Sequence, residues 1–434
     1  MEILAFFAVN SFLSAEMFMR EIRPLRQEDW DGYVKISMNA YPGMRVNTAV
    51  EQDRLRNRAQ RMNTDPTITF YGLFENGALR GVMRLHDFTM SLHGTELPVG
   101  GVGAVAVDLY HKKRRIAYDL IQFFLDYYRE QGAPLAVLYP FRPDFYKEMG
   151  FGYGRKLNQY RIKPADLPSS SQRHNVAPLT SQDRPALVAC YNRYMAQNNG
   201  LMTLSDFAVY TFFNSPKLRL AGYWQDGLLR GYLVFLFEPL GEENFLRNNI
   251  VVRHLVYETP EALHGLLAFL HSQADQVERV ILHTQEEDFH WLLADPRNGR
   301  TPLMPSVYQE TNAQGAGIMY RLIDLPRYFT LLREHNFGGQ TVRLKVSLTD
   351  SFYPVNAGSW LVDFVDGRAR LRESGDYDVE IRLDVAEFSS LAVGAIDFRR
   401  LMIYGLAAIS DRHYIDTVHR LFYTEKKPLC MSSF

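Results

Sequence analysis

"VAVDLYHKKRRIAYDLI", residues 105–121, runs from a short apolar strand through a basic turn into a helix. A strand that feeds a helix N-terminus aims backbone amides and the positive end of the helix dipole at one spot, an arrangement suited to a phosphate. The turn from His111 to Arg115 holds no glycine, yet Lys112, Lys113, Arg114 and Arg115 offer charge-assisted bonds to a pyrophosphate. Taken alone, such a cluster reads equally well as a solvated loop. Cationic side chains at a helix N-terminus oppose the dipole, however, so clustering them there costs stability unless an anion is bound.

An internal repeat supplies the comparison that the turn needs. Residues 71–84, "YGLFENGALRGVMR", recur as "AGYWQDGLLRGYLV" at 221–234. Gly72, Gly77, Leu79, Arg80 and Gly81 match Gly222, Gly227, Leu229, Arg230 and Gly231 at an offset of 150. Each copy reads as a hairpin, with Asn76-Gly77 or Asp226-Gly227 supplying the positive φ angles of a tight turn. Helical patterns precede the first hairpin at 28–40 and 48–62, and the second at 182–197 and 205–213. After the first hairpin come a strand (103–108), a helix (114–131), a strand (136–139) and a short helix (144–149). After the second come a strand (250–257), a helix (260–274), a strand (279–284) and a further helix. The turn that matches the basic one is "YETPEAL", acidic and without the lysines and arginines. A turn with only a structural role has no need to change sign between copies, so the first copy reads as the one that binds an anion.

From residue 312 the pattern changes. "TVRLKVSLTD", "GSWLVDFVDGRARLRES" and "DVEIRLDV" alternate as strands, and helical stretches follow at 385–393 and 396–404. A sheet followed by helices predicts a smaller α+β unit. The expected organisation is an N-terminal extension (1–16), a first α/β unit (17–164), a second (172–311) and a third (312–434). The apolar run of the extension is too short to span a bilayer, and Glu2 stands where a signal peptide has positive charge. With 48 Lys plus Arg against 49 Asp plus Glu, the balance of charge gives no footprint for a nucleic acid. Two cysteines, Cys190 and Cys430, are too few for a disulfide framework or a metal cage, and a reducing cytoplasm is the expected compartment.

The order of elements in the first unit, "AVAVDLYHKKRRIA" after the hairpin and "DFYKEMGFGYG" after the next strand resemble the GNAT acyltransferases. Within these the chain resembles the Eis-like (enhanced intracellular survival) family, from about Met17 to a chain that stops at phenylalanine. That resemblance implies an α/β (α+β) chain: two tandem GNAT-type domains followed by a sterol-carrier-protein-like domain. It implies an acetyl-CoA-dependent N-acetyltransferase with no metal, no nucleic-acid or membrane partner, and assembly as a homo-oligomer, a hexamer. The first unit is the active one and the second is degenerate. The GNAT turn usually reads R/Q-x-x-G-x-G/A, which puts Lys112 first, Arg115 at the middle glycine and Ala117 last. Arg115 is then expected to point outward while Lys112, Lys113 and Arg114 hold the phosphates. The strand before the turn, Val105, Ala106 and Val107, is implied to pair with the pantetheine arm through the backbone of Val105 and Val107.

The resemblance gives Tyr146 of "DFYKEMGF" the role of general acid to the departing thiolate, and the C-terminal carboxylate of Phe434 the role of base. A phenol with a pKa of about 10 and a carboxylate ionised above about 3.5 are chemically suited to these tasks. The implied acceptors are amines of small polycations of the aminoglycoside kind, or lysine side chains. Among aromatics and carboxylates suited to a cation (Glu28, Asp29, Trp30, Asp31), Tyr41 in the inter-helix loop is the acceptor candidate. A different class of reading makes the chain a non-catalytic apolar-ligand (lipid) binding protein acting through its third unit. His283, His290 and the run Glu286–Asp288 read as helix solvation and not as a metal site; Ser306 lacks a G-x-S-x-G context.

Overall fold

The computed structural model describes residues 20–434 except 45, 242, 243, 245, 301, 302, 305 and 306. The expected N-terminal extension and Ser306 lie outside the described residues. The first unit contains β1 (Arg20–Pro24), α1 (Trp30–Ala40), α2 (Ala49–Met62), β2 (Ile68–Glu75), β3 (Ala78–Leu92), β4 (Thr95–Val107), α3 (Ile116–Glu130), β5 (Leu135–Leu138), α4 (Pro143–Glu148) and β6 (Gly152–Tyr153). Local chemistry sets these bounds. Thr48 and Glu51 form a capping box at the start of α2. Ile116, Leu120, Ile121, Phe124, Leu125 and Tyr128 make one buried face of α3. The β2–β3 turn places Asn76 and Gly77 at φ +50° and +77°.

The second unit repeats the plan. β7 (Leu157–Ile162) and β8 (Val176–Pro178) lead to α5 (Arg184–Gln197), α6 (Asp206–Asn214), β9 (Leu218–Gln225), β10 (Leu228–Pro239), β11 (Asn248–Tyr257), α7 (Pro260–His271) and β12 (Val277–Thr284). Asp226 and Gly227 turn its hairpin at φ +52° and +75°. A Cβ at Gly81 would meet Ile116 and Leu120 of α3, and one at Gly231 would meet Ala262 and Leu266 of α7. The two repeated glycines thus serve one purpose, close seating of the helix on the sheet. The helix expected after residue 284 is reduced to a single 3₁₀ turn, Phe289–Leu292.

The two sheets exchange strands. The first has the order β1-β2-β3-β4-β5-β14-β6, with β14 (Met319–Leu322) inserted between β5 and β6. The second has the order β13-β7-β12-β11-β10-β9-β8, where β13 is Ala313–Gly315. So residues 157–162, read from sequence as part of the first unit, belong to the second sheet. Residues 313–322, read as the opening of the third unit, add a strand to each of the first two sheets. Sequence could not show this, because an antiparallel strand carries the same apolar pattern whichever sheet receives it.

The third unit begins with α8 (Leu325–Leu331) and is a five-stranded sheet, order β17-β16-β15-β18-β19, with helices on it. Its strands are β15 (Val342–Thr349), β16 (Gly358–Val365), β17 (Arg368–Arg372), β18 (Val379–Asp384) and β19 (Ala407–Ile409), and its remaining helices α9 (Val385–Ala392), α10 (Phe398–Ile403) and α11 (Ile415–Phe422). Its core is continuous with the far end of the β3–β4 hairpin, where Phe88, Met90, Leu97 and Val99 join Val346, Phe364 and Leu391 in one apolar cluster. A buried ion pair fastens the same junction: Arg321 of β14 donates to both carboxylate oxygens of Asp350 at 2.9 and 2.8 Å. Asp350 also accepts from the Tyr353 amide at 2.9 Å. Arg321→Met is expected to leave Asp350 as an uncompensated buried charge and to destabilise the protein by about 3 kcal/mol, read as a lowered midpoint of urea unfolding. An unchanged midpoint would show that the pair does not hold the junction.

Candidate active site

β4 and β5 pair in parallel only from Val99↔Leu135 to Val102↔Leu138. Beyond that point Ala104 takes φ +52° and the strands part. Two cavities fill the opening. One, of about 710 Å³, runs from the basic turn along β4 to α4. The other, of about 380 Å³, is bordered by Gly103, Ala104, Tyr139, Phe141 and Tyr146. Tyr41 and Tyr146 border both, so they stand where the two join.

The basic turn answers its missing glycine by conformation. Arg115, the N-cap of α3, sits at φ +61° and ψ +9°, and Lys113 at φ +64°. These are left-handed angles that glycine reaches freely and an L side chain reaches at a cost of about 1–2 kcal/mol. The chain keeps the backbone path of a glycine turn with arginine in it. Among the described residues no side chain caps α3, which leaves its first-turn amides to an external acceptor.

Lys112, Lys113, Arg115 and Ala117 border the larger cavity, together with Val105, Ala106 and Val107. The expectation for the two arginines is reversed. Arg115 faces the cavity and lies over the Tyr118 ring, 4.1 Å from its centroid. Arg114 turns away: its guanidinium lies 3.2 Å from Glu75, and its carbonyl accepts from Arg20 at 2.9 Å. Glu75 has its side chain 4 % exposed and also holds Arg20, so Arg114 ties the turn to the end of β2.

In the second unit the equivalent segment is too short for such a turn. β4 ends at Val107 and α3 starts at Ile116, whereas β11 ends at Tyr257 and α7 starts at Pro260. Thr259 caps α7 by accepting from the Ala262 amide at 3.2 Å. Glu258 is held by Arg193 at 2.6 Å and Arg230 at 3.1 Å. The place of the anion is taken by the protein's own groups.

Tyr41, the acceptor candidate, borders both of the cavities at the strand opening. Its hydroxyl donates to the Val105 carbonyl at 2.6 Å, on the strand implied to pair with pantetheine. A carbonyl has two lone pairs, so a second donor can still reach that oxygen. Tyr146 is 3 % exposed and packed edge-on against Phe141, Phe145 and Phe151. Burial, and then the nearby Tyr41, hold its pKa above that of an ordinary phenol.

The chain end is anchored. The Leu429 amide donates to Asn199 at 2.7 Å, the Cys430 amide donates to Gln285 at 2.5 Å, and the Tyr139 hydroxyl donates to the Cys430 sulfur at 3.2 Å. The Phe434 ring lies among His86, Phe88 and Tyr139, with centroids 5.4, 5.0 and 5.3 Å away. A Cβ built on Gly103 would lie 2.8 Å from the Phe434 carboxyl carbon. The terminal carboxylate therefore lies against β4 one residue before the strands part. Behind it is a third cavity, of about 340 Å³, to which β3 contributes Arg84 and His86. Sequence reasoning missed Arg84. A signal was present in the repeat, where Arg84 stands opposite Val234, a charge at the position of a core residue in the copy.

Residues 21–154 and 183–322 each match the acetyltransferase (GNAT) domain family, and residues 327–431 match the sterol carrier protein domain family. The chain is thus a GNAT-type acetyltransferase built of two GNAT domains and a sterol carrier protein domain. An uncharacterized N-acetyltransferase of Streptomyces avermitilis is 24% identical over 387 residues, 83% of this chain and 88% of that protein. One from Streptomyces coelicolor is 23% identical over 399 residues, covering 87% and 90%. Among solved structures, a GCN5-related N-acetyltransferase from Anabaena variabilis has a TM-score of 0.79 at 16% identity, over 96% of this chain and all (100%) of that one. Eis1 from Mycobacterium abscessus has a TM-score of 0.73 at 20% identity, over 95% and 100%. The chain shares the Eis arrangement of domains. Among the described residues no helix is long and apolar enough to cross a membrane, and no group of three or more His, Cys, Asp and Glu could hold a metal ion.

Gly103→Ala tests the position of the chain end. The methyl group would displace the carboxylate, and acetyl transfer is expected to fall at least about tenfold with acetyl-CoA affinity retained, measured by thiol release and by calorimetry. Wild-type turnover would show that the carboxylate is not needed at Gly103.

Proposed function

We propose that the first GNAT domain binds acetyl-CoA in the larger cavity and transfers its acetyl group directly to an amine, with Tyr146 and the Phe434 carboxylate as its proton-handling groups. The observation that carries the reading is the seating of the Phe434 carboxyl group against Gly103. The pyrophosphate lies on the turn formed by Lys112, Lys113 and Arg115 and on the uncapped amides of α3, and the pantetheine arm follows Val105 and Val107. The amine approaches from the side of Phe434. As its nitrogen bonds to the acetyl carbonyl carbon, a proton passes to the Phe434 carboxylate. The carbon–sulfur bond then breaks, its electron pair goes to sulfur, and the Tyr146 hydroxyl donates to that sulfur.

The raised pKa of Tyr146 keeps the phenol protonated across the working range. It also makes complete proton transfer harder. The burial that raises the phenol makes a thiolate in the same place more basic as well, so donor and acceptor stay matched.

Of the acceptors implied by the resemblance, a polycation of the aminoglycoside kind and a lysine side chain rest on that resemblance alone. The cavity behind Phe434 has no Asp or Glu side chain among its lining residues. A lipid-binding role for the third unit has no supporting observation comparable with the seated chain end.

Tyr146→Phe is expected to lower kcat by roughly a hundredfold or more with little change in acetyl-CoA affinity; equal turnover would remove Tyr146 from the reaction. In the wild type the rate is expected to show no loss from phenol ionisation up to about pH 10, because the raised phenol titrates above its ordinary value. A falling limb centred well below that pH, absent in Tyr146→Phe, would contradict the assignment.

A further inference from the structure

Arg84 sits on β3 between buried Met83 and Leu85, is itself half-buried, and borders the third cavity. Its Nε donates to His86 Nε2 at 2.7 Å, and its Nη1 lies 3.1 Å from the Met62 sulfur. Its Nη2 lies 3.1 Å from the Cβ position of Gly103, the position that is 2.8 Å from the Phe434 carboxyl carbon. Among the described residues, no Asp or Glu side chain forms an ion pair with this arginine; the Phe434 carboxyl group lies against the same Gly103 position. Burial, and with it the repulsion of Arg58, lowers its pKa, against the opposing effect of Tyr33 and Tyr41. A half-buried cation with no acidic side chain beside it is costly unless an anion faces it, and the same chain has no arginine at the equivalent position of its second unit, where Val234 packs in the core.

The rest of the cavity repeats the sign. Arg58 of α2 borders it on the outer side. His86 and His254 border it as neutral rings: His86 receives the Arg84 hydrogen bond and its pKa is well below the ordinary value, and burial lowers that of His254 to about 4. Thr203, Ser205 and Thr211 supply hydroxyl groups, and among the described residues of the wall the anion is the chain end itself. A broader outer hollow of about 740 Å³ shares Arg58, Phe207 and Thr211 with it and adds Arg61.

We propose that the acceptor is a small amine carrying its own anionic group, a carboxylate or a phosphate, which Arg84 binds while the amine faces the Phe434 carboxylate. This assignment rests on the reading of Phe434 as the base and names the substrate class of that same site. The two ends of such a zwitterion match the two charges that flank Gly103. A cavity of about 340 Å³ is near the lower limit of ligand sites, roughly 300–1,000 Å³, and fits an amino-acid-sized acceptor better than a multi-ring polycation. In the transfer the acceptor nitrogen bonds to the acetyl carbon, the carbon–sulfur bond breaks with its electron pair on sulfur, and the amine proton leaves to Phe434. The anionic group takes no part in bond making.

The test compares matched amines with the full-length protein and acetyl-CoA, following thiol release: α-amino acids against their carboxamides, phosphoethanolamine against ethanolamine, and an aminoglycoside. The expected kcat/KM favours the anion-bearing member of a pair by at least about tenfold. Arg84→Gln is expected to bring that ratio close to one, and Arg84→Lys to restore part of it. Preference for the carboxylate pair or for the phosphate pair identifies which anion is bound. An aminoglycoside as the best acceptor, or a ratio that Arg84→Gln leaves intact, would overturn the assignment. So would an equal fall for charged and uncharged amines, which would make Arg84 a positioning residue for the Phe434 carboxylate. Calorimetry of an N-acetyl amino acid and its carboxamide, with CoA present, reads the anion preference without turnover. If no amine is acetylated yet the anion binds through Arg84, the catalytic reading fails and the anion site stands; if neither occurs, both fail.

Discussion

The exchange of β7 and β14 between the two seven-stranded sheets is the constraint on which the rest of the structure depends. Each GNAT sheet is completed by a strand from outside its own run of sequence, so neither closes alone. β14 also carries Arg321 into the junction with the third domain, where Asp350 meets it. α9 closes the same junction, with Ser389 accepting from the Leu322 amide at 2.7 Å and Ser390 donating to the Tyr153 carbonyl at 2.9 Å. Three domains held this firmly can deliver a chain end across all of them. The last residue of the third domain reaches the strand opening of the first by way of anchors on the second, Asn199 and Gln285.

Under the proposed function, that delivery explains why one copy of the GNAT fold works while the other supports it. The first copy has a long basic turn, two left-handed cations in it and an uncapped helix. The second has closed the same place with Pro260, a Thr259 cap and a Glu258–arginine cluster. Strain at Lys113 and Arg115 is tolerable where an anion returns interaction energy, and a glycine would give the path without the charge. The substitution thus exchanges backbone freedom for a cation facing the cavity.

Much of this was legible in the sequence because it is local. The Asn-Gly and Asp-Gly turns, the 150-residue offset and the contrast between "HKKRR" and "YETPE" are short-range patterns with direct physical causes. The domain match and the placing of Tyr146 and of Lys112 at one cavity followed from such patterns joined to a family resemblance. What could not be read was long-range. Which sheet takes residues 157–162 and 313–322, which way Arg114 and Arg115 point, and what the Phe434 carboxylate rests against depend on contacts between distant segments. Tyr41 was singled out for its aromatic ring, and its hydroxyl bond to Val105 is a further contact between distant segments.

The most direct measurement of the account is the number of acetyl-CoA molecules the protein binds, by calorimetry on the full chain. One site per chain is predicted, lost when Lys112, Lys113 and Arg115 are replaced together by alanine, because under the proposed function the pyrophosphate lies on the first domain's turn, whose counterpart in the second is closed by the Thr259 cap and Glu258. Two sites per chain, no binding, or one site indifferent to those three residues would contradict it.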